Sequence, residues 1–83
     1  MAARVKVLFF GRLKELVGRA EEDVEIRDDE RLEEVFARYG ARHPEVGQLR
    51  GSVVASVNQE FAPWGARLRN GDEVAFLPPV SGG

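Results

Sequence analysis

Arg4-Val5-Lys6-Val7-Leu8-Phe9-Phe10-Gly11 is a run of β-branched, aromatic and long side chains closed by a glycine. Such a run reads as a β-strand over residues 4–10. Period-two alternation sends Val5, Val7 and Phe9 to one face, and Lys6, Leu8 and Phe10 to the other. Gly11 breaks the strand. Leu13, Leu16 and Val17 then recur at helical spacing before Gly18, a residue suited to the position just past a helix end.

Outward from this start, residues 24–27 alternate and predict a second strand paired with the first. The acidic run Glu21-Glu22-Asp23 before it reads as a solvated turn. Asp28 or Asp29 is expected to cap a helix whose positive end Glu30, Glu33 and Glu34 complement. Within that helix Leu32, Val35, Phe36 and Tyr39 fall at i, i+3, i+4 and i+7, an apolar stripe. Gly40 is expected to end it, and residues 41–51, with Pro44 and two glycines, to form a loop. A third strand follows over residues 52–57, then a turn at Asn58-Gln59-Glu60 into a short strand at Phe61-Ala62. Pro63-Trp64-Gly65 interrupts the chain, with Trp64 read as a cap over the sheet edge. Asn70-Gly71 signals a tight turn, because both residues tolerate positive φ. Residues 73–77 form the last strand, with Val74 and Phe76 inward and Ala75 and Leu77 outward. Pro78-Pro79 ends its pairing, since neither residue donates a ladder hydrogen bond.

Two helices on one face of a mixed sheet make an α+β, two-layer domain over residues 1–77, followed by an extended tail over 78–83. A chain of 83 residues buries roughly 60% of its unfolded surface, which supports one modest core. The N-terminus has too short an apolar stretch for a signal peptide. No apolar run approaches the ~18–20 residues of a membrane span. The absence of cysteine excludes a disulfide framework and fits a cytoplasmic protein. A net charge of −2 with both signs scattered offers no basic stripe for nucleic acid.

Side chains for chemistry are scarce. The single histidine, His43, stands alone in a polar stretch and reads as a surface residue, so no metal site is expected. Ser81 has no base placed to activate it. The candidate reactive group is therefore the α-carboxylate of Gly83, at the end of Pro78-Pro79-Val80-Ser81-Gly82-Gly83. Prolines favour an extended path of about 3 Å per residue, so the six residues reach at most roughly 20 Å. Glycine has no Cβ, and the last two residues fit a channel too narrow for side chains. A carboxylate is a poor electrophile; conversion to an acyl-adenylate supplies a leaving group, and a sulfur nucleophile then makes a thiocarboxylate. If the first and last strands pair, Leu8, Phe10, Ala75 and Leu77 form an outward apolar patch beside the tail's root. A patch of that kind marks a partner site, unless a helix covers it.

Three segments carry a family resemblance: Lys6-Val7-Leu8-Phe9-Phe10 with Leu13 and Glu15-Leu16-Val17-Gly18; Val57-Asn58-Gln59; and Asn70-Gly71-Asp72-Glu73-Val74-Ala75-Phe76-Leu77-Pro78-Pro79-Val80-Ser81-Gly82-Gly83. With these the chain resembles the small subunits of molybdopterin synthase, ubiquitin-like sulfur carriers of molybdenum cofactor synthesis. Residues 19–51 match in layout more than in residues. The resemblance implies a β-grasp fold. It implies adenylation of Gly83 by a ubiquitin-activating-like adenylyltransferase that uses ATP and magnesium, then thiocarboxylate formation. The tail, Pro78 to Gly82, would enter the large synthase subunit of a heterotetramer. There, sulfurs from successive carriers convert cyclic pyranopterin monophosphate to the molybdopterin dithiolene. The chain itself would bind no cofactor and would act as donor, the large subunit supplying the substrate pocket. Phe10 and Leu77 occupy positions where the family docks partners, and Lys14 stands where some members carry another basic residue. The competing expectations are a carrier for thiamine synthesis or tRNA thiolation, a ubiquitin-like protein modifier, and an interaction module with an inert tail.

Overall fold

A computed structural model describes residues 3–78. Its elements run β1 (Ala3–Phe9), α1 (Gly11–Val17), β2 (Glu21–Ile26), α2 (Leu32–Arg42), α3 (Pro44–Gln48), a 3-10 turn (Arg50–Ser52), β3 (Val54–Val57), β4 (Glu60–Phe61) and β5 (Glu73–Leu77). The five strands form one mixed sheet in the order β2-β1-β5-β3-β4. The first and last strands lie side by side and parallel, with Val7 opposite Val74 and Phe9 opposite Phe76. The other neighbours are antiparallel. This is the β-grasp arrangement.

Alternation in the two central strands builds the inner face. Val5, Val7 and Phe9 on β1, and Val74 and Phe76 on β5, are buried. They meet the α2 stripe of Leu32, Val35, Phe36 and Tyr39, with Leu13 from α1 and Val46 from α3 in the same cluster. All three helices thus pack on one side of the sheet. Aromatic rings fix the centre: Phe9 meets Tyr39 edge-on at 4.8 Å between centroids, and Phe36 meets Phe76 at 5.0 Å. Such pairs add about 0.5–1.5 kcal/mol beyond their buried area. Trp64 closes this core over Phe36 and Phe76, at 5.1 and 6.1 Å, with the Arg50 guanidinium 4.8 Å above its ring.

The turns follow local chemistry. Gly18 takes φ 88 and its N–H reaches Lys14 O, ending α1 as expected. At Asn70-Gly71 only the glycine takes positive φ, 89°. The Asn70 side chain instead accepts the Arg4 N–H at 2.9 Å, tying this turn to the start of β1. Asn58 and Gln59 both take positive φ in the β3–β4 turn, a backbone suited to the sheet's twist. Asn58 also accepts the Glu73 N–H at 2.9 Å and donates to Asp72 at 3.0 Å, locking the hairpin to β5.

Several sequence expectations are corrected. Glu21-Glu22-Asp23 belongs to β2 and not to a turn. Its residues pair with Leu8, Val7 and Lys6, Lys6 lies 3.7 Å from Glu21, and Glu22 turns inward to accept the Tyr39 hydroxyl. The cap of α2 is Arg31, not Asp28 or Asp29. Asp29 sits in a turn at φ 60, and the buried Glu30 gathers this corner by accepting the Arg27 N–H at 2.9 Å and Arg38 at 2.6 Å. Helix α2 runs through Gly40 to Arg42. A Cβ on Gly40 would stand 3.2 Å from the Gly47 Cα, so this glycine permits close helix approach and does not stop the helix. Residues 41–51 accordingly hold helix, with Pro44 in the first turn of α3, where its missing N–H costs nothing.

Candidate docking face and tail root

Pairing in the sheet places the outward side chains. Leu8 stands opposite Ala75, Ala75 opposite Ser56, and Ser56 opposite Phe61. Directly opposed residues share a face, so one row crosses four strands from Leu8 to Phe61. A second row holds Leu77 opposite Val54. Phe10, one residue past β1 and still extended at φ −125 and ψ 154, continues the alternation to the same side. Among the described residues the exposed large hydrophobics are Phe10 (44%), Val54 (46%) and Phe61 (79%). All three fall on this face.

Single exposed apolar residues are ordinary; a cluster on one side of a sheet marks an interaction surface. The helices occupy the other side, so among the described residues no helix covers the patch. Leu8 and Leu77 are half-buried, and Ala75 and Ser56 are shielded between larger neighbours. The sequence-derived patch of Leu8, Phe10, Ala75 and Leu77 is thus assembled, with Pro78 directly following at its edge. Sequence reading missed Val54 and Phe61. Their alternation was visible, but the pairing of β3 with β5 was not. Lys14 lies on exposed α1, and among the described residues it makes no ion pair. Pro79, Val80, Ser81, Gly82 and Gly83 lie outside the described residues.

The remaining polar features are occupied by the fold. A cavity of about 790 Å³ lies between β2 and α2 and is lined by Glu22, Asp23, Arg27, Arg38, Tyr39 and Arg42 among others. Much of its charge is already partnered: Arg38 with Glu30, Arg27 with Glu34, Tyr39 with Glu22. The Arg31 N–H donates to Glu34, and with the nearby Arg27 holds that carboxyl below its usual range. Burial, then the Glu22 carboxylate, pushes the Tyr39 phenol well above its usual range. His43 joins α2 to α3, its N–H on Tyr39 O and its carbonyl accepting from Val46. Among the described residues no group of His, Cys, Asp or Glu is arranged to hold a metal, and no helix is long and apolar enough to cross a membrane.

Known proteins resemble the chain in both sequence and fold. The model of the ThiS family matches residues 7–83. The molybdopterin synthase sulfur carrier subunit of Chlamydomonas reinhardtii is 37% identical over 82 residues, covering 96% of this chain and 99% of that protein. A solved structure described as a putative molybdopterin converting factor, subunit 1, from Pyrococcus furiosus superposes with a TM-score of 0.82 at 28% identity, over 94% of this chain and 99% of the other. The small archaeal modifier protein 1 from Methanosarcina acetivorans gives 0.81 at 25% identity, over 100% and 99%.

Proposed function

The chain belongs to the ThiS family, and we propose that it is the sulfur-carrier subunit of a molybdopterin synthase. The observation that carries this reading is the position of the exposed apolar face, beside the root of a tail whose sequence ends in diglycine. Near end-to-end similarity to sulfur carrier subunits supports it. A carrier needs a surface for partners and a reactive end that reaches into their active sites, and the apolar face lies beside Pro78, where the tail begins.

The chemistry resides at Gly83. Its carboxylate oxygen attacks the α-phosphorus of ATP, held with magnesium by a ubiquitin-activating-like adenylyltransferase, and pyrophosphate leaves. Hydrosulfide then attacks the acyl carbon, AMP leaves as the acyl–phosphate bond breaks, the sulfur's proton is lost to solvent, and the thiocarboxylate remains. Pro78 to Gly82 thread this group into the large synthase subunit, where cyclic pyranopterin monophosphate receives two sulfurs, one from each of two successive carriers, and becomes the dithiolene. Leu8, Phe10, Ala75 and Leu77, joined by Val54 and Phe61, dock the partners, and Lys14 adds a polar contact at the rim. The large subunit holds the substrate pocket in a heterotetramer, and this chain donates without itself catalysing, in the cytoplasm.

The test is mass spectrometry of the C-terminus after incubation with activating enzyme, ATP, magnesium and a sulfur source. Replacement of one oxygen by sulfur at Gly83 is expected. Deletion of Gly83 is expected to abolish molybdopterin formation, and full product from the deleted chain would overturn the reading. The likeness to the small archaeal modifier protein 1 favours a second reading, attachment of Gly83 to target lysines. Lysine conjugates in place of the thiocarboxylate would select it.

A further inference from the structure

Pro78 does not leave the sheet freely. β1 and β5 are parallel and in register through Phe9 and Phe76, so both chains emerge at the same end, Phe10-Gly11 beside Leu77-Pro78. There Gly11 takes φ +54, and a Cβ built on it would stand 2.9 Å from the Pro78 Cγ, with Cδ at 3.8 Å and Cβ at 4.0 Å. The proline ring is therefore seated against the bare Cα of Gly11. A side chain at position 11 and the ring of Pro78 cannot both keep their places, because real Cβ atoms do not approach carbon so closely. The ring also fixes φ of Pro78 near −65°, so its seat sets the direction in which the chain departs from β5.

We propose that Gly11 is a positioning residue for the C-terminal tail: its missing Cβ forms the seat that aims the chain at Pro78. The use of that aim rests on the sulfur-carrier reading; the seat itself does not. Direction matters because the five residues after Pro78 span at most roughly 17 Å when extended. A deflection of about 10° at the root then moves the far end by ~3 Å. Displacements near 1 Å at a reacting group already cost up to about a hundredfold in rate.

Gly11→Asn separates the seat from backbone strain, since asparagine tolerates positive φ better than other residues with a Cβ. Pro78→Ala removes the ring atoms that the new Cβ would meet. The chain has no cysteine, so Glu15→Cys gives a single attachment point on α1 for a spin label. Relaxation enhancement of the amides of residues 80–83 then reports the tail's direction without any enzyme. The pattern is expected to change on Gly11→Asn and to change little when the same substitution is made in the Pro78→Ala background. In adenylation assays the Gly11→Asn chain is expected to lose about tenfold in kcat, with KM within about twofold because the docking face is untouched. In the Pro78→Ala background that loss shrinks to less than about twofold. An unchanged label pattern, an equal loss in both backgrounds, or a loss confined to KM overturns the seat. Should Gly11→Asn fail to fold, Pro78→Ala alone decides: an unaltered label pattern shows that the seat aims nothing. A wild-type chain that is never adenylated, with label patterns behaving as expected, sinks the carrier reading and leaves the seat standing.

Discussion

The two faces of the sheet use the same alternation for opposite purposes. Inward, Val7, Phe9, Val74 and Phe76 are essentially without solvent contact and meet three helices. Outward, from the same strands or their neighbours, Phe10, Val54 and Phe61 stand in solvent. Phenylalanine contributes to stability only where folding removes it from water. The inner rings therefore hold the fold, whereas the outer ones add apolar surface that only a partner can cover. That exposed face fits the docking role proposed for it, and its neighbour at the sheet's end is the tail root.

The contrast is tested most severely by matched substitutions. Phe76→Ala is expected to cost about 3–5 kcal/mol, a large share of the ~4–12 kcal/mol available to a domain of this size. Urea titration should show a much lower midpoint or an unfolded chain. Phe61→Ala, on a residue 79% exposed, should change stability by less than about 0.5 kcal/mol. Equal losses at the two positions would erase the distinction between the faces.

Binding should reverse the order. Phe10→Asp and Phe61→Asp each place a charge in the proposed contact, and central aromatic contacts typically carry about 2 kcal/mol or more. Affinity for the large synthase subunit is expected to fall by at least about tenfold, which is ~1.4 kcal/mol, with melting nearly unchanged. A calorimetric titration with wild-type affinity for either variant would remove that ring from the interface.

The inner face was legible in the sequence because its signals are local. Period two in β1 and β5 and the spacing of Leu32, Val35, Phe36 and Tyr39 each lie within one element. The outer face was half legible. Leu8, Phe10, Ala75 and Leu77 follow from one strand pair, but Val54 and Phe61 join them only through the β5-β3-β4 order, which no local pattern encodes. Gly40 was misread for a related reason. A glycine signals a helix end or a close approach equally well, and Gly47, which settles the matter, belongs to another helix. The charged strand at Glu21-Glu22-Asp23 needed Lys6 and Tyr39 as partners before it made sense. The tail is a separate case: residues 79–83 lie outside the described residues, and the chemistry proposed for Gly83 rests on residue identity alone.

The smallest effect concerns the rim where the inner face meets solvent. Tyr39 packs on Phe9 with its ring and donates its hydroxyl to Glu22 at 2.5 Å. Burial, followed by the hydrogen bond and charge of Glu22, raises the phenol above its ordinary value of 10.0. The folded state thus favours the protonated form, while the unfolded chain ionises at the ordinary value. The stabilisation linked to this proton is full below pH 10 and is lost as pH rises from there through the folded value. Tyr39→Phe keeps the ring contact and removes the hydroxyl, so it should cost about 1 kcal/mol at neutral pH. Above pH 10 the gap between variant and wild type should narrow, because only the wild type loses this contribution. Urea titrations at neutral pH and above pH 10 read both quantities. A gap that stays constant would show that Glu22 and the core do not hold the Tyr39 proton, and that this rim behaves like the outer face.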